Sequence, residues 1–228
     1  QDIEVLATKM HLTKEQTLDK LTENYDGYHF SAYSPDVFNP YSLFNCFAQG
    51  KLGSYWFASG TPTYLINMMR KYHVLPTGIT RVEADESEFD APTEDMTTMM
   101  PLLYQSGYLT IKDYNRDYNY YTLDIPNKEV KIGLTKALIP SYVTGNTLAT
   151  TNTARRIAQA LDKQDMDGAL HLLQDFLGTV PYCNVTNHEG HYQQMLFIIF
   201  SLLTDYLVDV EVHTPKGRVD VVLLTGTD

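Results

Sequence analysis

The chain has 228 residues, 43% of them hydrophobic, with 17 Lys and Arg against 28 Asp and Glu for a formal net charge of −11. That length and apolar content are enough for a buried core and exclude disorder as the main state. The acidic balance repels phosphate backbones at long range and counts against tight nonspecific nucleic-acid binding by this piece. Only Cys46 and Cys183 are present. Without a Cys-x-x-Cys pair they suggest neither a disulfide framework nor a zinc ribbon, and both read as small core residues.

Gln1 opens the chain, and nothing near it has the basic-then-apolar layout of a signal peptide. The start therefore reads as the interior of a longer, cytoplasmic protein. Thr13 followed three residues later by Gln16 has capping-box spacing and predicts a short helix within residues 12–21. Asn39-Pro40 and Thr61-Pro62 each place a capping residue before a proline at the first helical position, which predicts helices over 40–48 and 62–72. The acidic stretch 83–95 reads as a solvated connection. Pro101 is expected to separate two helical pieces, and Gly107 to end the second.

Residues 108–114 and 118–125 surround Asn115-Arg116-Asp117 and predict a tyrosine-rich hairpin, with a helix following from Asn127. Helix, hairpin and helix together suggest a winged-helix-like module. Lys112 and Arg116 are outnumbered there by Asp113, Asp117 and Asp124, so a packing or protein-interaction role is favoured over DNA reading. The tyrosines are expected to cover neighbouring helices rather than stack on bases. Lys128, Lys131 and Lys136, and likewise Arg155 and Arg156, read as solvated helix faces.

The polar cluster Gly145-Asn146-Thr147 sets the expected boundary between domains 1–147 and 148–228. Residues 151–161 and 167–177 repeat apolar positions at helical spacing and predict an antiparallel pair, ended by Gly178 and Pro181. The longest apolar run, 195–200 with Leu202 and Leu203 after it, is too short to span a bilayer, which takes about 20 residues. It predicts a buried helix over 192–207. Two arms at the two-residue strand period, 208–214 and 218–225, then flank Pro215-Lys216-Gly217 as a β-hairpin.

Asp220 is the odd residue of that hairpin. It shares a strand face with Val222 and Leu224, yet Asp is depleted in strands and unfavourable to bury unless a cation or hydrogen-bond donor meets it. A metal ion is one such partner; a partly wet position beside Arg218 or His213 is the other reading. No Gly-x-x-x-x-Gly-Lys-Ser/Thr loop exists, and Gly50-Lys51 lacks both the upstream glycine and the hydroxyl residue. His188-Glu189-Gly190-His191 is one residue short of the zinc-protease spacing and reads as an exposed helix start. No Gly-x-Ser-x-Gly elbow is present.

The order helix, strand, then Gly217-Arg218-Val219-Asp220 opening a second strand resembles the PD-(D/E)XK nuclease-like domain fused to AAA-ATPase-like proteins. Tyr25-Asp26-Gly27-Tyr28-His29-Phe30, Phe38-Asn39-Pro40-Tyr41-Ser42-Leu43-Phe44, Tyr55-Trp56-Phe57-Ala58-Ser59-Gly60-Thr61-Pro62-Thr63 and Leu103-Tyr104-Gln105-Ser106-Gly107-Tyr108-Leu109 resemble the segment between that family's ATPase core and its nuclease-like domain. The similarity covers nearly everything after Asn24.

What the resemblance implies is a helix-rich α+β chain, with a helical and winged-helix-like accessory region followed by a truncated restriction-endonuclease-like α/β domain. Asp220 is implied as a catalytic metal ligand with Mg2+ as its cofactor. Glu189 is implied as a helix-borne catalytic carboxylate, although the helix dipole alone also favours a glutamate there. Glu211 is a third acid, read as an ion-pair partner of a cation such as Arg218. ATP belongs to an ATPase domain expected before Gln1, an intramolecular partner. The family's following strand, with Glu-x-Lys, is not among these residues. The expected function is a fragment, itself inactive, of an ATP-regulated, metal-dependent nucleic-acid phosphodiesterase that meets nucleic acid through the parent protein. The alternative is a noncatalytic regulatory or protein-interaction module with a nuclease-like fold.

Overall fold

Thr13 Oγ1 accepts the Gln16 amide at 3.1 Å while Gln16 Oε1 accepts the Thr13 amide at 3.0 Å. This is the reciprocal cap that the spacing predicts, and it opens α2 (Lys14–Tyr25) in the computed structural model. The structure describes the backbone of residues 2–58, 62–94, 96–142, 147–178, 188–202, 206–214 and 217–225. Side chains are described over the same stretches to residue 202, except at 58, 142 and 188–191, and beyond it only at Val222. The chain divides into two units, Gln1–Gly133 and Leu134–Asp228. The expected boundary residues Gly145 and Asn146 lie outside the described residues.

In the first unit, α1 (Asp2–Met10), α2 and α3 (Pro40–Gln49) enclose a core of Leu6, Leu21, Tyr25 and Cys46. Cys46 is thus the small core residue expected of it; Cys183 lies outside the described residues. Asn39 Oδ1 accepts the Ser42 amide at 3.2 Å to cap α3. Gly50, at φ 66°, lets the chain leave it in the left-handed conformation. After α4 (Tyr55–Ala58) comes α5 (Thr63–Lys71), where Pro62 holds the cap position without a side-chain bond. Thr61, the expected cap, lies outside the described residues.

The acidic stretch is more than a solvated connection. β1 (Val82–Ala84) pairs antiparallel with β3 (Tyr120–Asp124), and α6 (Glu86–Phe89) follows, with Asp85 and Glu88 closing a second capping box. Phe89, 2% exposed, carries that segment into the core. Three apolar side chains among many acids were too sparse to show a period, so charge density hid a strand and a helix. Pro101 likewise sits in the first turn of α7 (Met100–Gln105), where a missing amide hydrogen is harmless, and so begins a helix instead of separating two.

β2 (Thr110–Asn115) and β3 form the expected hairpin, with a register shift between Ile111 and Asp113, and the sheet order is β1-β3-β2. Tyr121 lies 5.3 Å from the Phe89 ring and 4.6 Å from Tyr114, centroid to centroid, so the hairpin tyrosines pack against α6 and one another. α8 (Lys128–Tyr142) follows, and Lys128 at its start meets Glu23 at 2.6 Å. Gly133 in this helix faces Phe57, whose ring carbon would stand 2.3 Å from an added Cβ. Helix propensity alone favours alanine there by about 1 kcal/mol. The overlap reverses that sign, and Gly133→Ala is expected to destabilise the chain by roughly 1–3 kcal/mol in urea unfolding.

In the second unit, α9 (Thr147–Asp162) buries Thr150, Ala154, Ile157 and Ala160 at helical spacing, and α10 (Met166–Gly178) packs along it. α11 (His188–Ser201) starts earlier than its apolar run and stops at Ser201, before β4 begins at Tyr206. Met195, Phe197, Ile198, Ile199 and Phe200 are all buried. A helix apolar on every side is one enclosed by its neighbours. Among the described residues no helix is long and apolar enough to cross a membrane.

Candidate functional site

β4 (Tyr206–Thr214) and β5 (Gly217–Thr225) pair antiparallel from Tyr206↔Thr225 to Thr214↔Gly217. The reversal is shorter than the Pro215-Lys216-Gly217 connection expected, since Gly217 already belongs to β5, and Pro215 and Lys216 lie outside the described residues. Val210↔Val221 and Val212↔Val219 bracket Glu211 and Asp220, which the register therefore sets opposite one another. Strand alternation places Asp209, Glu211 and His213 with Arg218 and Asp220 on one face of the hairpin. Val208, Val210, Val212, Val219, Val221 and Leu223 occupy the other. The face that carries these charges is mixed beyond them, since Leu207, Val222 and Leu224 share it and Val222 stands opposite Asp209. Opposed positions stand about 5 Å apart and like charges there repel, so this face favours a cation near Glu211 and Asp220. Arg218, opposite His213, occupies the register position diagonal to Glu211.

Glu189 falls in the first turn of α11, inside the helix instead of ahead of it, and α11 packs on both strands. The helix that carries Glu189 and the strand that carries Asp220 are therefore direct neighbours. The side chains of Asp220, Glu189 and Glu211 lie outside the described residues, as do those of His188 and His191. Among the described residues, no three His, Cys, Asp or Glu side chains gather as a metal-binding group.

The first unit holds a cleft of about 640 Å³ that sequence reasoning did not find. Tyr28, Phe30, Asn39, Pro40 and Trp56 line it, together with residues 104–107. All four of the aromatic and Gly/Pro blocks that carry the family resemblance converge on it. They lie up to 80 residues apart, so only their shared density of aromatics outside any helical or strand period could have marked them as one place.

Several contacts fix the cleft walls. Lys112 Nζ donates to the Gly27 and Pro126 carbonyls at 2.9 Å each, clamping the first block to the β3–α8 connection. Burial lowers the Lys112 pKa, while Asp36, Asp124 and Asp26 pull it back up. Gly27 takes φ 95°, and the Pro126 carbonyl oxygen would lie 2.4 Å from any Cβ there, so both conformation and space require glycine. Thr110 Oγ1 accepts the His29 amide at 2.7 Å and donates to the His29 carbonyl at 2.9 Å. Tyr28 pairs with Val37 through backbone bonds of 3.2 and 2.8 Å.

Glu129, 1% exposed, turns one carboxylate oxygen to the Trp56 amide at 2.7 Å and so caps α4 from another helix. Burial raises its pKa, against donors on Ser42 and the α4 backbone that favour the charged form. Its second oxygen and the Ser42 hydroxyl are buried without a well-formed hydrogen bond. An acid at a helix start is expected from the dipole alone, which is why this one gave no sign of its second task.

Residues 187–228 match the sequence profile of the PD-(D/E)XK nuclease superfamily. The α11–hairpin segment thus carries a domain of that superfamily within a helix-rich α+β chain. Over 213 residues the chain is 28% identical to a protein of Azotobacter chroococcum mcd 1 described as "Uncharacterized protein in vnfD 5'region". That match covers 90% of this chain and 40% of the relative, so the chain spans about two-fifths of the relative's length. No solved structure matches.

Proposed function

We propose that this chain is part of a metal-dependent nucleic-acid phosphodiesterase whose cutting is regulated by an AAA-ATPase-like domain of the same protein. The observation that carries this reading is Asp220 at the register position opposite Glu211, inside the segment that matches the nuclease superfamily. Asp220 is the metal ligand, and Glu189 is a further catalytic carboxylate brought in on α11. Opposed carboxylates are hard oxygen donors and suit a divalent ion such as Mg2+. When bound, such an ion supplies polarisation of the scissile phosphate and a more acidic water. The residues' part is to hold that charge on one rigid strand pair while α11 fixes the second acid beside it.

The four convergent blocks support residues 1–147 as the accessory region next to an ATPase core, its helix–hairpin–helix order being winged-helix-like. The length of the Azotobacter relative beyond the matched span leaves room for such a core. Residues 148–228 form the nuclease-like part. The second reading, a noncatalytic interaction body, draws on the net charge of −11 and on the aromatic cleft.

Mg2+-dependent cleavage of DNA and RNA by the full-length natural protein, with and without ATP, separates the two. Cleavage that EDTA removes and ATP alters supports the enzyme; inert protein under all conditions leaves the interaction body. The 228-residue chain by itself is expected to show no detectable Mg2+-dependent cleavage. Robust cleavage lost on Asp220→Ala would overturn that expectation.

A further inference from the structure

The hairpin that carries Asp220 also brings a nitrogen donor to the neighbourhood of its acids. His213 pairs with Arg218, and the Val212↔Val219 pair separates that position from the opposed Glu211 and Asp220. Strand alternation therefore sets His213 on the face of the two acids, two residues along the strand from Glu211 and diagonal to Asp220. Positions so related stand roughly 5–8 Å apart. Two carboxylate residues and one imidazole residue thus occupy the corners of a small triangle on a single strand pair.

Pairing across the strands does not account for an imidazole there. Arg218 opposite it is a permanent cation, so His213 completes no opposite-charge pair of the kind that stabilises antiparallel strands. Val222, two residues beyond Asp220 on the same face, is half-buried. At that point the face is neither bare surface nor sealed core, which leaves an ion a way in.

The third donor decides which ion the trio suits. Carboxylate oxygens serve Mg2+ and Mn2+ alike, whereas imidazole nitrogen suits transition ions and Mg2+ keeps to oxygen ligands and water. We propose that His213 is a nitrogen ligand of the divalent ion held by Asp220 and Glu211, and that it tunes this site towards Mn2+ over Mg2+. The proposal rests on the nuclease reading of Asp220 and adds a ligand that reading does not contain. His188 and His191, beside Glu189 in the first turn of α11, are the rival nitrogens.

In the full-length natural protein freed of nucleotide, bound Mn2+ is expected to show nitrogen modulation in its electron spin echo, and His213→Ala is expected to abolish it. The same change should weaken Mn2+ about tenfold by calorimetry and Mg2+ less than about twofold. His213→Asp returns an oxygen donor to the position, and should restore binding of both ions with no nitrogen signal and a smaller preference for Mn2+. Circular dichroism of both variants should match the parent protein. Nitrogen modulation that survives His213→Ala, or an equal loss of both ions, overturns the proposal. Mn2+ that Asp220→Ala removes but that shows no nitrogen signal in the parent protein also overturns it, and leaves the nuclease reading standing. Mn2+ binding that is absent, or that Asp220→Ala does not remove, takes both down.

Discussion

Asp220→Asn in the full-length natural protein is expected to lower Mg2+-dependent nucleic-acid cleavage by about 100-fold or more while leaving the fold intact, since the amide keeps the side chain's shape but not the charge that holds the ion. The register supplies the other half of the expectation. Asp220 faces Glu211 across the strand pair, and removing one of two opposed like charges relieves roughly 0.2–1 kcal/mol of repulsion. Activity and stability should therefore move in opposite directions, with cleavage lost and the urea midpoint unchanged or slightly raised. Loss of both together would assign Asp220 a structural role, such as a pair with Arg218. Glu189→Gln is the companion measurement, because α11, the helix that carries that residue, packs on both strands.

Glu129 gives the second large effect, this time on stability. Glu129→Ala removes the acceptor of the Trp56 amide and leaves a void where the buried Glu129 side chain stood, which costs about 2–4 kcal/mol. Glu129→Gln keeps an oxygen for that amide and removes only the charge. Burial raises the Glu129 pKa from its ordinary 4.5, so the folded chain holds this proton more tightly than the unfolded chain does. Its contribution to stability is full below that ordinary value and is lost as pH rises through the folded one. Urea unfolding of both chains from pH 4 to pH 7 is expected to show Glu129→Gln gaining on the parent chain as pH rises. Asp124, also raised by burial, is common to both chains and cancels in the difference. Parallel pH profiles would mean that donors on Ser42 and the α4 backbone fully offset the burial of the charge.

The features that were legible in the sequence are those written in one or two neighbouring residues. Thr13 with Gln16 and Asn39 with Pro40 each set a local backbone choice that no distant contact overrides, and both helix starts fall where these residues put them. The alternation of 208–214 and 218–225 was strong enough to give the hairpin and the face of Asp220. β1 and α6 were hidden because pairing with β3, not their own composition, makes 82–84 a strand. The cleft was hidden for a related reason. Its walls come from four separated blocks, and Lys112, Gly27 and Thr110 bring them together through contacts between residues far apart in the chain. Glu129 carried no signal beyond an acid in a first helical turn.

The most direct measurement is a crystal of this chain soaked in Mn2+ and examined by anomalous scattering. The nuclease reading predicts a peak on the Asp220 face of the hairpin, about 2.1 Å from an Asp220 carboxylate oxygen and within coordinating reach of a second acid. An Asp220 side chain closed on the Arg218 guanidinium, with no anomalous density on that face, would contradict it.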